Sequence, residues 1–232
     1  MELRDSRTTN FDHEEYHKEL ALADRRYEGD CWAWLVEQVN TIDEASRQVR
    51  RWPAHLDALH DLIDVLTDSD EHLIGVPKSR RMMVTWAVAE WVHWLTRYYP
   101  SVLAVWQSRT ETMAAEVVDK RIIFAEEHLH EPALRRTADT HRTKDGLIGR
   151  VTWNSTSSRI VAVAQGADAF RSLTPTVLVM DECEFQEQGA AALAAAIPFA
   201  EKGAKVVLVS SSNGPGHPLA NLCKAVGFTR WT

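Results

Sequence analysis

Three short stretches hold the residue types that phosphate chemistry needs, and they follow one another along the chain. The first is IGVPKSRRMMVTWAVAEW (74–91), where Lys78, Arg80 and Arg81 precede Thr85. An ordinary phosphate loop reads G-x-x-x-x-G-K-[ST]: its glycines let backbone N–H groups close around the phosphates, and its lysine reaches the terminal ones. Here Met83 and Val84 stand where the glycine and lysine would be, and the cations lie upstream. Thr85 keeps the hydroxyl position that ligates magnesium. The second stretch, TVLVMDECEF (176–185), runs a hydrophobic segment straight into Asp181 and Glu182, the form of a Walker B strand. A first carboxylate so placed can hold magnesium, and a second can orient and deprotonate an attacking water. The third, VVLVSSSNGPG (206–216), ends in Ser210, Ser211, Ser212 and Asn213, short hydrogen-bonding side chains before glycines that permit sharp backbone turns. Each alone reads equally well as a solvated turn or a strand end. Their order, loop cations, then Asp-Glu, then Ser/Asn, points to nucleoside-triphosphate hydrolysis.

Such side chains need a scaffold that brings three strand ends together. HLIGV, SVLAVWQ, TVLVMD and AKVVLVSS are short continuous runs rich in Val, Ile and Leu, as expected of strands covered on both faces. Helical stretches are expected between them, at 84–99, 110–130 and 187–200. The second of these is introduced by SRTE, with capping-box spacing from Ser108 to Glu111. Strands alternating with helices imply a mostly parallel α/β sheet. LIGRVTW and RIVAVA (147–153, 159–164) alternate differently and read as an antiparallel pair added to it. Residues 131–146 are expected to form a mobile loop. Upstream, residues 12–52 read as helical, with Asp30 capping one helix and TIDE (Thr41 to Glu44) a third, and Pro53 opens PAHLDALHDLIDVL.

A chain of 232 residues, 45% apolar and 25% charged, can bury one substantial core. A net charge of −7 argues against coating nucleic acid by bulk attraction, though a local basic face can still meet phosphates. Cys31, Cys183 and Cys223 are odd in number and far apart, which supports neither a disulfide framework nor a zinc site. No run approaches the ~18 apolar residues of a membrane span. The nine tryptophans fall mostly in helix-face patterns such as WAVAEWVHWL and are expected in the core.

In combination the stretches resemble the ATPase domain of the large terminase subunit of tailed bacteriophages, the motor that pumps DNA into empty capsids. Phosphate loops of that family often read K-S-R-Q-M-G-V-T-W, and KSRRMMVTW runs here from Lys78 to Trp86. The likeness continues through ADAFRSLTPTVLVMDECEF and VSSSNGPG, from about residue 50 to 222. It implies an α/β P-loop NTPase of RecA/ASCE type with a mostly parallel central sheet, preceded by a helical annex: residues 1–50 for the annex, 51–232 for the ATPase domain. It implies ATP and Mg2+ as ligands, bound by Pro77, Lys78, Ser79, Arg80, Arg81, Met82, Met83, Val84 and Thr85. Lys78 would contact phosphate, Thr85 and Asp181 the magnesium, and Glu182 the water. Ser211, Ser212 and Asn213 would couple hydrolysis to movement. The arginine completing hydrolysis would be Arg80 first, then Arg171, or a residue of a neighbouring subunit. His55, after Pro53, is either a base contact or a surface histidine. Met83 replaces the family's loop glycine, so positive φ is expected to be hard to reach there and the phosphate grip altered.

The implied partners are double-stranded DNA, a portal protein, a small terminase subunit and further copies in a homo-oligomeric ring, with no membrane. The implied place is the host cytoplasm, transiently docked on the procapsid. The sequence stops about twenty residues after the third motif, so any nuclease is expected on a separate domain or chain. Two other readings compete: a DExx-box helicase-like translocase, and a nucleotide-binding assembly module whose altered loop has lost catalysis.

Overall fold

The computed structural model describes residues 13–43, 46–78, 83–211 and 229–231, without the side chains of His13, Arg171 and Arg230. In chain order its elements begin with α1 (His13–Gly29), α2 (Cys31–Gln38), β1 (Asn40–Ile42), β2 (Val49–Arg51), α3 (Asp57–Thr67), β3 (Leu73–Lys78), α4 (Val84–Tyr98) and β4 (Leu103–Gln107). There follow α5 (Glu111–Val117), a π-helical turn (Val118–Ile123), α6 (Phe124–Glu127), β5 (Ala138–Arg142), β6 (Ile148–Trp153) and β7 (Arg159–Val163). The last are α7 (Asp168–Arg171), β8 (Val177–Asp181), α8 (Gly189–Ala200), β9 (Lys205–Ser211) and β10 (Thr229–Arg230).

Eight of the described strands form one sheet in the order β10-β3-β9-β8-β4-β7-β6-β5. From β10 to β7 every neighbour is parallel, and β6 and β5 are added antiparallel. The Val/Ile/Leu runs form these central strands because both faces are covered, so β8 is buried along its whole length. One face packs on α2 to α6 and holds most of the tryptophans; α7 and α8 cover the other. Eight of the nine tryptophans, all but Trp32, are buried, so they belong to the core. β9 inserts between β3 and β8, and its register sets Lys78 opposite Ser211 and Asp181 opposite Val209. The carboxyl ends of three neighbouring strands, β3, β9 and β8, therefore meet on one side of the sheet.

Local signals fared unequally. Asp30 caps α2, accepting from the Ala33 N–H at 2.8 Å. Thr41 does not start a third helix: it lies in β1, paired antiparallel with β2, because α2 ends at Gln38 and Trp52 folds back onto it. α3 begins at Asp57 rather than at Pro53, which opens a turn closed by the Leu56 N–H on the Pro53 carbonyl at 3.1 Å. The cap of α5 is Thr110, whose hydroxyl accepts from the Met113 N–H at 3.2 Å. Ser108 is buried instead at the end of β4. The stretch 131–146 is not a loop throughout: β5 pairs with β6 as the outermost strand, mostly exposed, and its polar sequence suits that edge.

The second half of α4 holds a buried charge cluster. His93 Nδ1 lies 3.0 Å from Glu90 and Nε2 2.9 Å from Glu126, while Arg97 bonds both Glu126 oxygens at 2.7 and 2.5 Å. The Arg136 backbone N–H also donates to Glu126, and Arg97 Nη2 donates to the Leu134 carbonyl. Trp153 stacks on the His93 ring at 5.2 Å and donates to Thr96. Burial pushes the Glu90 carboxyl up to about 6 even against His93. Burial acts on Glu126 in the same direction, but His93 and Arg97 overcome it and hold that carboxyl at about 2.

Candidate active site

β3 ends at Lys78, β8 at Asp181 and β9 at Ser211, and α4 starts just beyond the loop with Thr85 in its first turn. The Lys78 ammonium joins them. Its Nζ donates to Thr85 Oγ1 at 2.8 Å and lies 3.1 Å from both Asp181 Oδ1 and Glu182 Oε1. An ammonium has three protons, and three oxygens face it here. The Lys78 and Asp181 side chains are only 12% and 10% exposed, so the contact is far less screened than a surface ion pair.

Glu182 is held apart from Asp181 by its backbone, which turns into the left-handed region at φ 50° before a short 3-10 turn, Cys183–Phe185. That turn aims the two carboxylates differently. Glu182 Oε2 accepts from the Ser211 N–H and hydroxyl at 3.3 Å each, and Ser210 Oγ lies 3.5 Å away. Asp181 uses its backbone carbonyl to accept from Gln186 Nε2 at 2.9 Å, and its Oδ1 accepts the Glu182 N–H at 3.1 Å. Burial raises both carboxyls. At Asp181 burial prevails over Lys78, and the group stays above the ordinary carboxylate range. At Glu182, Lys78 and Ser211 prevail over burial and hold it below. The two therefore have different proton affinities although adjacent in sequence.

Thr85 Oγ1 and Asp181 Oδ1 converge on one cationic nitrogen, so a hard oxygen pair already faces a position that suits a cation. No group of three His, Cys, Asp or Glu suited to a metal occurs among the described residues. Magnesium fits this donor set, because it commonly takes one or two protein oxygens and completes its shell with phosphate and water. One lysine against two carboxylates also leaves the cluster a negative charge to be balanced.

Met83 overturns the expectation about its backbone. It adopts φ 55°, ψ 13° as the residue preceding α4, the left-handed conformation a glycine would take, and its side chain packs on the core cluster. The glycine-like geometry is present without the glycine, at a steric cost of roughly 1–2 kcal/mol. Pro77 and Val84 flank the loop as the fifth residue of β3 and the first of α4. Ser79, Arg80, Arg81, Met82, Ser212, Asn213 and the Arg171 side chain lie outside the described residues. His55 is exposed in the turn before α3, and no contact among the described residues joins it to Lys78, Thr85, Asp181 or Glu182.

Two neighbours escaped the sequence reading. Gln186 is buried and fixes the Asp181 backbone, a role no local pattern announces. Arg121 comes from the π-helical turn after β4, with its guanidinium 5.7 Å from the centre of the Trp86 ring. Only the three-dimensional crossover brings it near α4.

The sequence matches no protein-family model and no curated protein. Solved structures share the fold. The HK97 bacteriophage large terminase superposes with a TM-score of 0.62 at 13% identity, covering 86% of this chain and 41% of that one. The large terminase from a thermophilic bacteriophage, in complex with ADP, gives 0.58 at 13% identity, over 75% of this chain and 44% of its own. The same terminase in complex with ATPγS gives 0.55 at 13% identity, over 75% and 43%. The chain spans less than half the length of these proteins, and over that span it has the fold of phage large terminases.

Proposed function

We propose that the chain is an ATP-hydrolysing motor domain of terminase type that drives double-stranded DNA into a procapsid. The observation that carries this is the single ammonium of Lys78 joining Thr85, Asp181 and Glu182 where β3, β8 and β9 end together. Ligands of open α/β sheets bind beyond the carboxyl ends of the strands, where these residues stand. The terminase fold, and the ADP and ATPγS named for the two structures of the thermophilic phage enzyme, support the same reading.

In this reading Lys78 turns toward the β and γ phosphates, and the amides at the start of α4 face them, as helix N-termini do for anions. Thr85 and Asp181 would hold Mg2+, which when bound neutralises phosphate charge. Glu182, kept ionised by Lys78 and Ser211, accepts the proton of the attacking water. Its contacts with Ser210 and Ser211 make β9 the first element to feel a change at the carboxylate, which suits the coupling role given to Ser211, Ser212 and Asn213. Arg80, Arg171 or a neighbouring subunit would supply the finger. A ring of copies, a portal protein, a small terminase subunit and a nuclease on a separate domain or chain complete the machine, in the host cytoplasm on the procapsid. The division into an annex, 1–50, and an ATPase domain, 51–232, belongs to the same proposal. No helix of the described residues is long and apolar enough to cross a membrane.

The test is magnesium-dependent ATP hydrolysis with and without linear duplex DNA, for the wild type, Lys78→Ala and Glu182→Gln. Hydrolysis stimulated by DNA and lowered ~10²–10⁴-fold by Glu182→Gln is expected. Binding without turnover under every condition would instead favour the assembly module, and strand separation the helicase-like reading.

A further inference from the structure

The strands β5, β6 and β7 form the antiparallel end of the sheet, and residues directly opposite in such pairs point to the same face. The register lines up Asp139, Thr152 and Arg159 across the three strands in one row, and His141, Arg150 and Val161 in the next. The alternate residues Val151, Trp153, Ile160 and Ala162 are buried in the core on the other side. On the open side Arg150, Arg159, His141 and Asp139 are exposed, and neither arginine has a side-chain hydrogen bond or ion pair among the described residues. Residues 135–163 contain six Lys or Arg against two Asp, in a chain of net charge −7. By contrast, residues 57–71, which form α3 and the turn into β3 beside the opposite edge strand β10, contain six Asp or Glu and no Lys or Arg. Charge is segregated along the sheet, so a polyanion is repelled from one end and drawn to the other. The exposed large apolar side chains lie elsewhere, at Leu22, Val49, Tyr99 and Phe185. The open face therefore suits neither an apolar protein interface nor a single strand, whose bases stack on aromatic rings.

We infer that this open face of β5–β7 meets the phosphate backbone of duplex DNA, with Arg150 and Arg159 as its principal contacts. Arginine keeps its charge, and its planar fork matches two phosphate oxygens at once. Thr152 adds a hydroxyl donor beside Arg159. Contacts of this kind hold a duplex without reading its bases, as movement along arbitrary sequence requires. β7 also leads from the face toward the site. Beyond Val163 the chain continues into Gln165, whose side-chain oxygen accepts the Gln188 N–H at 3.5 Å, and Gly166, whose carbonyl accepts from Gln107 Nε2 at 3.0 Å. Gln188 lies just after the 3-10 turn that follows Glu182, so a load on β7 is passed to the segment that holds this carboxylate. The inference rests on the motor reading and deepens it by giving the DNA a place on this chain.

The double variant Arg150→Ala/Arg159→Ala tests it, through fluorescence anisotropy of a labelled linear duplex across a salt series. Lys202→Ala, exposed after α8, is the control, and thermal melting checks the fold. The slope of log affinity against log salt is expected to shrink by about two, since each lost phosphate contact removes roughly 0.9. Affinity should fall ~10-fold or more, alike for unrelated sequences. DNA stimulation of ATP hydrolysis should fall too, with the DNA-free rate unchanged. Arg150→Lys/Arg159→Lys keeps both charges and should keep most of the slope; if the alanine pair melts early, comparison of the lysine pair with Arg150→Gln/Arg159→Gln carries the test. An alanine pair with wild-type slope and affinity overturns the inference, as does an equal loss in Lys202→Ala. So does intact DNA affinity with a smaller assembly in sedimentation, which would make the face a contact between copies. A chain that hydrolyses no ATP, yet loses duplex affinity in the alanine pair, keeps this inference and overturns the motor reading. DNA-stimulated hydrolysis indifferent to both arginines overturns this inference alone.

Discussion

Helix α4 carries two charge clusters built on opposite principles. At its N-terminal end one lysine serves three oxygens, from α4 and the end of β8, and Met83 and Glu182 are held at left-handed φ. Two turns further on, His93 and Arg97 lock Glu126 between them inside the core, with a stacked tryptophan as cover. Under the proposed function, phosphate oxygens replace the carboxylates around Lys78, so the first arrangement has partners to exchange. The second has none to exchange. The second cluster anchors α4 against α6, so the strained N-terminal end of the helix rests on a buried ionic network.

The largest expected effect breaks the anchor. Glu126→Gln removes the charge that His93 and Arg97 share and leaves the buried Arg97 guanidinium facing a neutral amide. It is expected to cost ~3–5 kcal/mol in urea unfolding at pH 7. Glu90→Gln removes a carboxylate that burial already disfavours, and its cost should be far smaller. If the two variants cost the same, the anchor is not centred on Glu126.

pH sharpens the same contrast. The Glu126 carboxyl is depressed to about 2, so its stabilisation is present above an unfolded value near 4.5 and is lost as pH falls toward 2, roughly 3 kcal/mol in all. Glu90 has the opposite sign: raised to about 6, it favours folding below about 4.5, and that contribution disappears as pH rises through 6. His93 adds to the second trend. Burial lowers it, but two carboxylates raise it further, so its contribution holds below 6.5 and fades at higher pH. Unfolding measured at pH 2.5 and 5 should show the gap between wild type and Glu126→Gln closing at the acid end.

The smallest effect concerns the strained end. Met83→Gly places the residue that favours φ 55° where methionine now holds it, but removes a side chain packed on the core. A stability change within about 1 kcal/mol of wild type is expected by differential scanning calorimetry, because relief of strain and lost packing offset. A loss of several kcal/mol would mean that the methionine is held by packing rather than strained by its backbone.

The sheet was legible because its strands are buried on both faces and read as unbroken Val/Ile/Leu runs. The carboxylates were legible because β8 runs directly into them. Short polar signals were not: TIDE and SRTE have capping-box spacing, yet Thr41 pairs in a hairpin and Ser108 is buried at a strand end, since tertiary packing outweighs a single cap. Met83 misled for a related reason, as steric preference forbids little when the surrounding fold dictates φ. Arg121 and Gln186 carry no motif at all, and only the folded crossovers bring them beside α4 and Asp181.

The most direct measurement is a structure of the chain with Mg2+ and ATPγS. The account predicts that Lys78 Nζ leaves Thr85 Oγ1 and Asp181 for the phosphates, while the contacts of His93 and Arg97 with Glu126 stay in place. Nucleotide bound with Lys78 still bridging Thr85 and Asp181, or the buried cluster opening instead, would contradict it.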